Sequence, residues 1–200
     1  MSTAQRIGLA VLSLIAFAAL PGVAQAHIGL GSTTGFVDGV VHPLSGLDHI
    51  CAMLGIGLWA AQRGGRSIWV LPLAFVLVMT VGGLLGMAHV FIPLIEPGIV
   101  ASVLVIGLLV ATAIRLPLIG STCLVALFAL FHGHAHGTEM PVAAAGAWYG
   151  IGFLSSTLVL LAFGVVLGLA GRKLDAPWIF RTAGAAIVTC GLALCAIYLG

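Results

Sequence analysis

The chain has 200 residues, of which 62% are hydrophobic and only 6% charged, and its mean hydropathy is +1.27. A soluble domain carries roughly 25% charged residues, so a water-soluble globule is excluded and an all-α polytopic membrane protein is indicated. The seven Lys and Arg residues leave a formal net charge of +2 and are too scattered to form a nucleic-acid surface.

Residues 1–26 read as a cleavable signal peptide. Arg6 supplies the positive start, Ile7 to Leu20 a short apolar stretch, Pro21-Gly22 a break, and Ala24-Gln25-Ala26 the small-x-small cleavage form. Cleavage would leave His27 as the mature N-terminus, where an α-amine beside an imidazole can chelate a divalent metal. The remainder, 27–200, reads as a single membrane domain. It divides into six apolar runs near the 20-residue length that a span requires: about 40–61, 68–92, 97–114, 117–135, 143–170 and 179–199. The breaks between them hold Gly, Pro or charge, as turns at a membrane surface do, and they are too short to hold a second domain.

Orientation follows from two independent signals. Cleavage of the signal peptide puts the mature N-terminus outside, so the first, third and fifth turns are cytoplasmic. Those turns and their flanks hold Arg63, Arg66, Arg115, Arg172, Lys173 and Arg181, all the basic residues of the mature chain. The expectation is a six-span bundle in the bacterial inner membrane with both termini periplasmic. Gly82-x-x-x-Gly86 and Gly164-x-x-x-Gly168 have the spacing for close helix approach, within one chain or between copies in a homo-oligomer. The four cysteines form no CxxC pair and read as packing residues. The tryptophans fall mostly near span ends, as interface residues do.

This topology gathers every histidine at the outer end. His42 and His49 lie in the first run, seven residues apart and so on one face of a continuous helix, with Asp48 about 100° round. Pro43 suits the first turn of that helix. His89 ends the second run. In the fourth, His132, His136 and Glu139 follow i, i+4, i+7, provided that the helix survives Gly133 and Gly137, while His134 points elsewhere, toward the outer aqueous surface. Ionisable groups in a membrane span are costly and mark function. Imidazole with carboxylate suits zinc, copper, iron or nickel. With no soluble catalytic domain and no phosphate-binding Gly-x-x-x-x-Gly-Lys-Ser/Thr loop, the constellation reads as the vestibule of a permease for a divalent metal ion. The candidate ligands are His42, Asp48, His49, His132, His136 and Glu139, with His89, His134 and His27 as secondary candidates. The alternatives are an intramembrane zinc-dependent hydrolase, with three His and an Asp leaving an open position for water, and a metal- or haem-binding accessory membrane protein with His42 and His49 or His89 as axial ligands.

The same residues resemble a known family, the HupE/UreJ nickel permeases. Its first motif, His-Pro-x-x-Gly-x-Asp-His, stands at His42 to His49. Its second, Phe-His-Gly-x-Ala-His-Gly-x-Glu, stands without departure at Phe131 to Glu139. The resemblance implies import of Ni²⁺, with Co²⁺ as a second cargo, by ATP-independent facilitated diffusion. It also implies a link to the maturation of a nickel enzyme such as [NiFe] hydrogenase or urease. No prosthetic group is implied, since the ion is substrate. His134 occupies the variable position of the second motif and inherits no role.

Overall fold

The computed structural model describes residues 35–140 and 146–199. The signal peptide and His27 lie outside the described residues. Within them the only regular element is the α-helix: α1 (Gly35–Ser45), α2 (Leu47–Arg63), α3 (Ser67–Met87), α4 (Ile95–Thr112), α5 (Leu118–Thr138), α6 (Gly146–Lys173) and α7 (Pro177–Leu199). The last five are each long and apolar enough to cross a membrane, and α1 with α2 forms a sixth, broken unit bent by 78°.

That bend corrects the expectation of one continuous helix through the first motif. Gly46 sits in extended backbone, φ −94° and ψ 120°, as the N-cap of α2. Its carbonyl accepts the first helical bond from the Ile50 amide, while the Ser45 hydroxyl closes α1 on the His42 carbonyl at 2.7 Å. Pro43 therefore lies inside α1, near its end, and not in a first turn. Its missing N–H removes one helical bond from α1 and weakens the helix where it stops.

The centre of the molecule is α2, with 12 of its 17 residues buried. It packs against α3, α4, α6 and α7, while α3 pairs with α5, α4 with α7, and α1 with α6. Glycine sets the closest of these approaches. A Cβ at Gly82 or Gly86 would meet the carbonyls of Leu130 or His134 on α5. Reciprocally, one at Gly133 or Gly137 would meet the carbonyls of Met79 or Gly83 on α3. Gly164 packs in the same way on the Leu54 carbonyl of α2, and Gly168 packs on the Ala61 methyl and the Leu58 carbonyl. Both glycine stripes read from the sequence are thus used inside one chain.

The two ends of the bundle differ in chemistry. At one end Arg63 donates to the Leu116 carbonyl and to Ser67 Oγ, and Arg172 donates to the Ala61 carbonyl, so basic residues from different turns tie the helix ends together. Trp59 lies here, wholly buried beneath the Arg63 guanidinium at 5.2 Å, and so departs from the interface role expected of the tryptophans. Trp69 and Trp148 are exposed. Histidines occupy the opposite end.

Candidate metal site

α5 continues through Gly133 and Gly137 to Thr138, with Glu139 as its C-cap. The i, i+4, i+7 face therefore exists, and its geometry is set by the neighbouring stripe. Gly133 and Gly137 lie against α3, which leaves His132 and His136, one position back, directed at α1, α2 and α4. One short motif thus supplies both the packing surface and the clustered imidazoles.

Four imidazoles meet there. Nε2 of His136 lies 2.9 Å from Nδ1 of His49, and Nδ1 of His132 lies 3.3 Å from that same atom. On its other edge, Nδ1 of His136 lies 2.7 Å from Nε2 of His42, and Oε2 of Glu139 is 3.4 Å from both of these nitrogens. Two triads result: an inner one of His49, His132 and His136, and an outer one of His42, His136 and Glu139. In each, one ligand atom per residue lies within 4.8 Å of the others. Two nitrogens bound at right angles to one ion, each about 2.1 Å from it, would stand about 3.0 Å apart. The nitrogen–nitrogen separations of 2.9 and 3.3 Å about His49 and of 2.7 Å between His42 and His136 lie near that figure.

Depth separates the triads. His49 and His132 are fully buried, whereas the Glu139 side chain is 53% exposed and that of His42 26%. Phe153 lies edge-on to His42 and His49 and tilted against His136, and supplies an apolar wall. His49 Nε2, which faces away from the triad, has no hydrogen-bond partner.

Ser102 on α4 supports the inner triad through His132 and is not evident from the sequence. Its hydroxyl is fully buried and donates to the Ile99 carbonyl at 2.6 Å. With its one hydrogen so used, the oxygen accepts from Nε2–H of His132 at 2.8 Å. That bond leaves the lone pair of His132 on Nδ1, facing His49 and His136, as outer-shell partners of ligating histidines commonly do. The only signal in the sequence is a hydroxyl in an apolar run, and such a residue more often satisfies itself on its own helix.

The other candidates stand apart from the triads. Asp48 belongs to neither. It lies in the first turn of α2, with Oδ1 folded back over Gly46, where a carboxylate suits the positive end of a helix. His134 is buried, contrary to the outer-surface expectation. Its Nε2–H donates to the Val90 carbonyl at 2.7 Å and ties α5 to the segment after α3. His89 is exposed just beyond α3, in the left-handed region at φ 53°.

The described residues form a helical bundle compatible with a multi-pass membrane protein, with one all-histidine triad and one histidine–carboxylate triad at one end that could hold a metal ion. The chain belongs to the HupE/UreJ family, whose model, described as HupE / UreJ protein, matches residues 15–194. Over 186 residues it is 40% identical to Protein HupE of Rhizobium leguminosarum bv. viciae, an alignment covering 92% of this chain and 96% of that one. No solved structure matches the chain significantly. The family comprises transporters or accessory proteins and not enzymes, which sets aside the hydrolase alternative.

Proposed function

We propose that this protein is an ATP-independent permease that brings Ni²⁺, and Co²⁺ as a second cargo, across the bacterial inner membrane to supply a nickel enzyme such as [NiFe] hydrogenase or urease. The observation that carries the reading is the graded depth of the two triads. A hydrated cation first meets the exposed Glu139, with His42 and His136 beside it. It then exchanges water for the buried nitrogens of His49 and His132. This order regroups the sequence-based expectation: His132 acts with His49 in the inner triad, and Asp48 supports α2 from outside both.

The donor set favours late first-row divalent metals over Mg²⁺ or Ca²⁺, which take oxygen ligands. Copper binds such donors more tightly than nickel, so selectivity rests on geometry and on supply. Affinity is held moderate, because a conducted ion has to leave. Inward of His49, successive turns of α2 place Met53, Ile56 and Trp59, all fully buried, in the core. Release to the inner side therefore requires helix movement. The basic residues gathered at the opposite end support an orientation with the triads and both termini on the periplasmic side.

Uptake of ⁶³Ni by proteoliposomes, comparing wild type with His49→Ala and His132→Ala, tests the proposal. Transport is expected in the wild type alone. Equal transport by all three would remove the inner triad from the path.

A further inference from the structure

The two triads have one member in common. His136 addresses the outer triad through Nδ1, 2.7 Å from His42 Nε2, and the inner triad through Nε2, 2.9 Å from His49 Nδ1. Opposite edges of one ring therefore face two different donor sets. A neutral imidazole carries a proton on one nitrogen and its lone pair on the other. Whichever nitrogen of the neutral ring ligates, its opposite keeps a hydrogen, and binding a second ion there would require the ring to lose that proton and become imidazolate. Charge argues the same way. Two dications on the two edges of one ring would repel across a site in which His49 and His132 have no exposure to solvent and His136 little, where screening is weak.

We propose that the triads are alternative stations for a single ion, mutually exclusive because they share His136, so that the cluster holds one divalent cation at saturation. This rests on the metal-permease reading above and adds a mechanism to it. In a channel with independent adjacent sites, a second ion pushes the first onward. Here an ion at the inner triad closes the outer one to a follower. Hand-over occurs as the ring exchanges its ligating nitrogen. The ion leaves Nδ1 and is bound by Nε2, one proton leaves Nε2, and one is taken up at Nδ1, so the ring's proton count does not change.

The test is the number of nickel ions held by the purified full-length protein at saturating Ni²⁺, by equilibrium dialysis. His136→Ala serves as the baseline, to subtract ions bound elsewhere. If His136→Ala loses the native size-exclusion profile, His136→Gln takes its place. The wild type is expected to exceed the baseline by one ion. Glu139→Gln and His132→Gln, each damaging one triad, are both expected to exceed it by one as well. X-ray absorption should then count three imidazoles on the ion in Glu139→Gln, and two with a carboxylate oxygen in His132→Gln. A wild-type excess of two ions would overturn the proposal. So would an excess of one that either single variant abolishes, since only one triad would then bind. No excess at all would instead overturn the underlying assignment of the cluster to metal.

Discussion

The two histidine motifs reach the same site by opposite backbone strategies. The first, His42 to His49, is broken at Gly46, and the 78° bend places its two histidines on separate helices. The second, Phe131 to Glu139, stays in one helix despite its two glycines, because those glycines are consumed against α3. The broken segment contributes one imidazole to each triad, with His42 outside and His49 inside. The unbroken segment contributes the residue shared by both. Glycine at Gly46 ends a helix, whereas at Gly133 and Gly137 it lets two helices close together. Spacing alone does not distinguish these roles, since each depends on what lies opposite.

This contrast can be tested at several points. His136→Ala removes a ligand from both triads at once. Nickel uptake in proteoliposomes is expected to fall by more than about 100-fold, beyond the 10–100-fold loss typical of outer-shell partners. Retention of most of the activity would mean that the unbroken segment does not carry the shared ligand. Ser102→Ala frees the His132 ring without touching a ligand atom, and inner-triad nickel affinity should fall roughly 10–100-fold. Ser102→Thr, which keeps the hydroxyl, should recover much of that loss, whereas a packing role alone would not distinguish the two variants in this direction.

Gly133→Ala places a methyl against the Met79 carbonyl of α3, a backbone atom that cannot step aside. Overpacking of this kind costs about 1–3 kcal/mol, to be read as a lowered unfolding midpoint in detergent. Gly46→Ala is the counterpart in the broken segment. Its methyl would crowd the flexible carboxylate of Asp48 and make ordinary contact with His49 Cβ, in a backbone conformation open to alanine. A loss at Gly46 as large as that at Gly133 would erase the proposed difference between the two glycines. The smallest effect is expected from Glu139→Gln. Its carboxylate is more than half exposed, so its attraction for the ion is screened. Capture should slow by only a few-fold, with the deficit shrinking as ionic strength rises.

The sequence by itself determined the class of protein, the six apolar runs, the separation of arginines from histidines, and both histidine motifs. These properties are local or cumulative along the chain: hydropathy sums over a window, charge counts by turn, and helical spacing relates residues a few positions apart. Only the tertiary structure decided which imidazole meets which. Sequence spacing paired His42 with His49 and His132 with His136, along each helix. The fold pairs His136 with both His42 and His49, and His132 with His49 and Ser102. It also leaves Asp48 over the turn at Gly46 and turns His134 inward to a backbone carbonyl. The physical reason is that a ring nitrogen finds its partner through the register between helices. That register is set by glycine faces closing on backbone carbonyls of a distant helix, a relation that no one-dimensional spacing contains.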